Sequence, residues 1–175
     1  MRKILVVIDM QNDFTYGALR NDDCIDVIGK VAEKIRSYDG EVIFTRDTHD
    51  GGYLETQEGR KLHVPHCIKG SEGWDLVDGI ADLARKLGAK IYDKKTFGSM
   101  ELAQDIAKMN ESEKIDEVEL VGICTDICVI SNAMLIKAAV PETVVKVDSA
   151  CCAGVTRQSH ETALAAMKGV QIEVY

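Results

Sequence analysis

Lys3-Ile4-Leu5-Val6-Val7-Ile8-Asp9 is the stretch that decides the fold. Five consecutive apolar residues, three of them isoleucine or valine in a row, stop abruptly at an acid. A strand with one wet face alternates apolar and polar residues; this one does not, so Lys3–Ile8 reads as a strand covered on both faces. Working outward, short apolar runs of the same kind return at residues 41–45, 90–92, 117–123, 143–147 and 170–174. Between them the spacing is helical, at residues 25–38, 74–87, 100–109, 126–139 and 158–168, with Gly88 placed to end the second helix. Strands joined by helix-length crossovers form a parallel sheet with helices on both faces. The expected fold is α/β, a three-layer α/β/α Rossmann-like arrangement with a six-stranded parallel sheet, in one domain over residues 1–175.

The bulk properties narrow the function. With 46% hydrophobic residues, the 175-residue chain can bury a sizeable core. A formal charge of −8 argues against a phosphate-backbone partner, which needs clustered lysine and arginine. No apolar run approaches the roughly 18 to 20 residues that cross a bilayer, and the run ending at Ile8 is too short for a signal-peptide core. The expectation is a cytoplasmic protein with no nucleic-acid or membrane partner. Six cysteines in that setting read as free thiols, catalysis or metal binding rather than a disulfide framework.

In an open parallel sheet, ligands bind beyond the carboxyl ends of the strands. Asp9 follows the first strand, Asp47 and His49 the second, Lys94 the third, and residues 124–128 the fourth. All fall on one rim. Cys128 sits where strand passes into helix, and a thiol of pKa near 8.5 is only about 3% thiolate at pH 7. A helix N-terminus or a nearby ammonium lowers that pKa, and unpaired N–H groups at the same turn suit an oxyanion. Its other reading is a small buried hydrophobe. Asp9, half desolvated at the end of an apolar run, suits proton transfer; otherwise it forms a turn or a cap. Lys94 and Lys95 are adjacent, and spacing alone leaves open which of them faces the rim.

Residues 47–73 form one long irregular stretch, about twice the usual loop length, which marks a functional loop. Asp47-Thr48-His49 and the returning His66 offer a carboxylate and two imidazoles. That set suits Zn²⁺, Mn²⁺ or Fe²⁺, with positions left for water or substrate. Glu55, Glu58 and His63 are further donors within reach of the same loop, while Cys67 reads as packed. The alternative is a loop held together by histidine hydrogen bonds. His160, alone on a helix face, reads as a packing residue.

Five segments carry a resemblance, in order and after successive strands: Val7-Ile8-Asp9-Met10-Gln11-Asn12-Asp13-Phe14; Thr45-Arg46-Asp47-Thr48-His49; Pro65-His66-Cys67; Lys94 with Phe97 three residues on; and Gly122-Ile123-Cys124-Thr125-Asp126-Ile127-Cys128-Val129. Together they resemble the isochorismatase-like cysteine hydrolases, most closely the nicotinamidase branch, over nearly the whole chain. The resemblance implies an Asp–Lys–Cys triad at Asp9, Lys94 and Cys128, and selects Lys94 over Lys95. It implies a non-proline cis peptide at Ile123–Cys124, with the Cys124 and Cys128 N–H groups aimed at an oxyanion. It implies metal ligands at Asp47, His49 and His66, a divalent cofactor with zinc first and manganese or iron as alternatives, and a homo-oligomer, dimer or tetramer. The branch often places a bulky aromatic three residues before the last metal histidine. This chain has His63 there, so His63 and Phe14 are the expected substrate walls, with Tyr53 and Trp74 as further aromatics of the loop.

The implied activity is hydrolysis of a small-molecule amide through a thioester, nicotinamide to nicotinate plus ammonia first. A carbamoyl- or ureido-type C–N hydrolase is the rival within the superfamily. Isochorismate vinyl-ether cleavage ranks lower, because that branch does not need a cysteine nucleophile. A non-catalytic binding protein that keeps the fold is the rival from another class. A redox protein using Cys124 and Cys128 is disfavoured by their spacing across a turn.

Overall fold

A computed structural model describes residues 1–175. Six strands form one parallel sheet: β1 (Lys3–Ile8), β2 (Glu41–Asp47), β3 (Ile91–Lys94), β4 (Glu117–Ile123), β5 (Val144–Ala153) and β6 (Glu173–Val174), in the order β3-β2-β1-β4-β5-β6. The chain leaves β1 toward β3 and returns to β4 on the other side of β1. Strand order therefore reverses between β1 and β4, where a crevice opens beyond their carboxyl ends.

The unbroken apolar run of β1 is explained by its central place. Ile4, Val6 and Ile8 enter one core, and Leu5 and Val7 enter the other. Successive side chains of a strand point to opposite faces, so a strand covered twice has no polar position to spare. On the Leu5 side lie α2 (Asp22–Asp26), α3 (Ile28–Ser37) and α5 (Asp78–Leu87). On the Ile4 side lie α6 (Met100–Ser112), α7 (Ile130–Ala139) and α8 (Arg157–Gly169). The three-layer α/β/α arrangement is the expected one. No helix is long and apolar enough to cross a membrane.

Besides α5, which begins at Asp78 rather than Trp74, four elements differ from expectation. The helix read over 25–38 is two, α2 and α3, separated by Val27. The helix read from 126 begins as a π-helical turn, Thr125–Val129, before α7. Strand β5 runs to Ala153, six residues past the reading, because its pairing with β4 resumes at Gly122↔Cys152 after a register shift. Asp148 and Ser149 within that shift look like the start of a loop. Strand β6 shrinks to two residues, since Val170 and Gln171 complete the turn after α8.

The loop after β2 is built rather than free. It contains a 3₁₀ turn, Tyr53–Glu55, and a short helix, α4 (Gln57–Lys61), capped by the Thr56 hydroxyl. Before α2, a turn of helix, α1 (Asn12–Thr15), follows β1. The Asp13 carboxylate accepts the N–H of Cys67 at 2.7 Å and of Ala18 at 3.0 Å, tying the loop's return to α1. Gly73 packs on that carboxylate so closely that a Cβ would sit 2.3 Å from it.

Candidate active site

Three strand ends meet at the crevice. Asp9 ends β1 with a φ of +47°, a left-handed turn that directs its carboxylate across the rim. It is fully buried. Its Oδ1 accepts the Thr45 hydroxyl at 2.6 Å, and its Oδ2 lies 2.6 Å from the Lys94 ammonium. Lys94 is the last residue of β3, and strand alternation turns it inward while Lys95 stays exposed. The Lys94 Nζ is also 3.5 Å from the Cys128 sulfur and 3.7 Å from Asp47 Oδ1.

Cys128 stands in the π-helical turn, 5% exposed. Gly122, at the end of β4, makes the approach to β1: its φ is +117°, and a Cβ there would lie 2.2 Å from the Ile8 carbonyl oxygen. The next peptide but one, Ile123–Cys124, is cis, as expected. The Cys124 N–H has no hydrogen-bond acceptor in the chain, and Cys124 borders the cavity with Cys128. Asn132, fully buried, donates to the carbonyls of Cys128 (2.8 Å) and Phe97 (3.1 Å) and accepts from the Ser99 N–H (2.9 Å). It locks the thiol's turn to the segment after Lys94.

Burial sets the protonation state of the trio. It raises Asp9, against the pull of Lys94. It would lower Lys94, but the nearby Asp9, Cys128 and Asp47 together outweigh it and hold the ammonium above its usual value. Burial pushes the Cys128 thiol well up, with Lys94 opposing. The thiol is therefore not acidified by its turn and its lysine as expected, because burial outweighs them. Asp9 adds to that rise through its charge and a hydrogen bond to the thiol.

Beside the trio, Asp47, His49, Glu58 and His66 bring one donor atom each to within 4.8 Å of one another. The Asp47 Oδ2 lies 3.1 Å from His49 Nε2 and 3.3 Å from His66 Nε2, and Glu58 Oε1 lies 3.7 and 3.6 Å from the same nitrogens. His66 Nδ1 is 2.8 Å from the Val64 carbonyl. A carbonyl only accepts, so Nδ1 carries the proton and the Nε2 lone pair faces the cluster. Burial and the Asp47 charge raise Glu58. Two imidazoles and two crowded carboxylates fit a borderline divalent cation. The fourth donor is Glu58; Glu55 is exposed, and Cys67 is buried with its N–H on Asp13.

A cavity of about 540 Å³ opens on both groups, walled by Phe14, Leu19, Leu62, Phe97 and Ile127. Phe14 lies where expected, edge-on to His66 at 5.7 Å between ring centroids. His63 does not: it faces solvent, and Lys61 and Leu62 line the cavity instead. The Tyr53 hydroxyl pins the Leu62 carbonyl at 2.9 Å as the chain leaves α4, and the next side chain turns outward. Tyr53 packs edge-on against His49 and His66 from behind, and Trp74 stacks on Arg46, so neither borders the cavity. Gln11 was not anticipated. Its buried amide brackets the Asp47 backbone, accepting the N–H at 2.7 Å and donating to the carbonyl at 2.8 Å.

Residues 3–174 match the isochorismatase domain model. The chain is 32% identical to the uncharacterized isochorismatase family protein PncA of Bacillus subtilis over 143 residues, 77% of this chain and 78% of that one. Among solved structures it is similar to the nicotinamidase/pyrazinamidase PncA of Bacillus subtilis, with a TM-score of 0.85, 25% identity and 99% of each chain covered. The fold is also that of the pyrazinamidase of Pyrococcus horikoshii solved in complex with zinc, with a TM-score of 0.76, 24% identity, and 100% of this chain and 99% of that one covered. A match from the first strand to the last, on a sheet whose rim gathers an acid, an ammonium and a thiol, places this chain in the isochorismatase family.

Proposed function

We propose that this protein is a nicotinamidase-like cysteine amidohydrolase, acting on a small carboxamide through a thioester on Cys128. The observation that carries the reading is one ammonium, Lys94 Nζ, 2.6 Å from Asp9 and 3.5 Å from the Cys128 sulfur at a cavity wall. The relatives named nicotinamidase and pyrazinamidase support nicotinamide as the first substrate to test.

In this reading Asp9 takes the thiol proton as the sulfur attacks the amide carbonyl, and Lys94 balances the negative charge. The Cys124 and Cys128 N–H groups receive the oxyanion, roughly 3 to 4 kcal/mol per donor. The C–N bond breaks as Asp9 returns the proton to the leaving nitrogen, and ammonia departs. Water then adds to the thioester with Asp9 accepting its proton, which frees the carboxylate product and restores the thiol. Asp47, His49 and His66, with Glu58 as fourth donor, would hold a divalent ion, zinc first with manganese or iron as alternatives. Such an ion supplies a Lewis acid to orient the substrate. Phe14 serves as a substrate wall. The outward His63 favours a second reading, a carbamoyl- or ureide-type substrate, because it removes the expected ring-stacking partner.

We read the chain as one hydrolase domain in a homo-oligomer, dimer or tetramer; the exposed apolar side chains of Phe97, at the cavity, and of Met100 support an oligomer. Six free thiols support a cytoplasmic address. The test is ammonia release from nicotinamide and a panel of small amides and ureides, by the wild type and Cys128→Ala, with metal content measured on the same samples. Turnover lost in Cys128→Ala is expected. Turnover of ureides alone selects the second substrate reading, and equal turnover by both proteins overturns the mechanism.

A further inference from the structure

We infer that Thr45 is a positioning residue for this chemistry, its hydroxyl deciding which oxygen of Asp9 exchanges the proton. The inference rests on the proposed role of Asp9. Both side chains are fully buried, so water does not substitute for either partner. Thr45 Oγ1 takes part in two hydrogen bonds with Asp9: the Asp9 N–H lies 3.2 Å away, and Asp9 Oδ1 lies 2.6 Å away. The amide only donates, so the hydroxyl accepts from it, and its single hydrogen is committed to Oδ1. This closed ring anchors one carboxylate oxygen to β2. The other, Oδ2, has the Lys94 ammonium at 2.6 Å and no other partner, which leaves it the oxygen for proton exchange with Cys128.

The left-handed backbone at Asp9 makes the anchor necessary. The Asp9 N–H stays tied to β2 through the Thr45 carbonyl at 3.2 Å, but that bond leaves the rotation of the carboxylate free, so its plane must be fixed by a neighbour. Thr45, in the adjoining strand, is that neighbour. In the sequence it reads as a β-branched residue at a strand position that opens a motif segment, with no role assigned to it.

The test compares Thr45→Val, which keeps the shape, with Thr45→Ser, which keeps the hydroxyl. For ammonia release by metal-replete protein, Thr45→Val is expected to lower kcat about tenfold to a hundredfold with KM within about twofold, and Thr45→Ser to stay within about threefold of wild type. A second readout needs no substrate: the rate at which iodoacetamide alkylates Cys128, followed by mass spectrometry, is expected to fall in Thr45→Val and recover in Thr45→Ser. Wild-type kcat and alkylation in Thr45→Val overturn the inference, as does Thr45→Ser impaired tenfold or more. The serine arm decides alone if the valine protein does not fold. A wild type that turns over no amide would count against the proposed function, while the alkylation comparison still decides the role of Thr45.

Discussion

The protein brings an aspartate, a lysine and a cysteine together twice. One group is Asp9, Lys94 and Cys128 at the rim; the other is Asp148 and Cys151, within the register shift of β5, with Lys34 of α3. The residue types are the same and the geometry is not. Lys34 spends its ammonium on Asp148 (2.8 Å), Glu119 (2.9 Å) and the Tyr175 hydroxyl (3.1 Å). Burial and the Asp148 charge push the Cys151 thiol up to about 12. Lys94 divides itself differently, close to one carboxylate and within reach of the sulfur. The first group also opens on a cavity with two imidazoles beside it, whereas the groove at Cys151 has none. A buried charge cluster becomes a site when its cation is aimed at the reacting atom and not used up by other anions.

The sharpest way to break this comparison is to remove each thiol. Cys128→Ala is expected to lower kcat by about 10⁴-fold or more, and Cys151→Ala to leave it within about twofold. Comparable losses in steady-state ammonia release from both would show that residue type, not geometry, is what counts. Next in size is the cluster that only the first group has. His66→Ala is expected to weaken zinc retention by at least roughly 10 to 100-fold, since losing an outer-sphere partner alone costs that much. Dialysis against a graded chelator with metal analysis measures it.

The smallest effect separates a structural lysine from a working one. Lys34→Met is expected to cost about 2 kcal/mol in urea unfolding, a buried-pair loss discounted for partial exposure, with kcat unchanged. Its pH dependence follows from the direction of the shift. Burial would lower Lys34, but hydrogen bonds to Asp148 and Glu119 outweigh it and raise the ammonium above its ordinary value. A cation raised on folding contributes stability that is complete below its unfolded pKa of about 10.4 and is lost as pH rises through the folded value. The gap between wild type and Lys34→Met should therefore narrow above about pH 10. A gap that widens there would assign Lys34 another role.

Much of the site was legible because its residues punctuate strands. Asp9 interrupts an apolar run, and Cys128 lies in a segment whose pattern turns from strand to helix. The metal donors were legible as residue types in one overlong loop, with Glu58 among several acids and indistinguishable from Glu55 until α4 turned one inward and left the other in solvent. His63 was misplaced for the same reason: spacing from His66 says nothing of direction in a loop whose path is set by a distant contact, the Tyr53 hydroxyl on the Leu62 carbonyl. Thr45 entered only as the first residue of a motif segment and Asn132 not at all, since their roles are hydrogen bonds to Asp9, 36 positions away, and to Ser99 and Phe97, 33 and 35 positions away, that no local pattern records.

Composition and apolar period were enough for the layered sheet, and the family resemblance singled out Asp9, Lys94 and Cys128 as the candidate triad. Those properties are local, written in side-chain type and in repeats of two and 3.6 residues. Direction and protonation were decided by the tertiary structure alone. How the Lys94 ammonium is shared between carboxylate and sulfur, which oxygen of Asp9 is anchored, and how far burial raises the Cys128 thiol all depend on what neighbouring strands place within a few ångströms. Those distances exist only once β1, β2, β3 and β4 lie side by side.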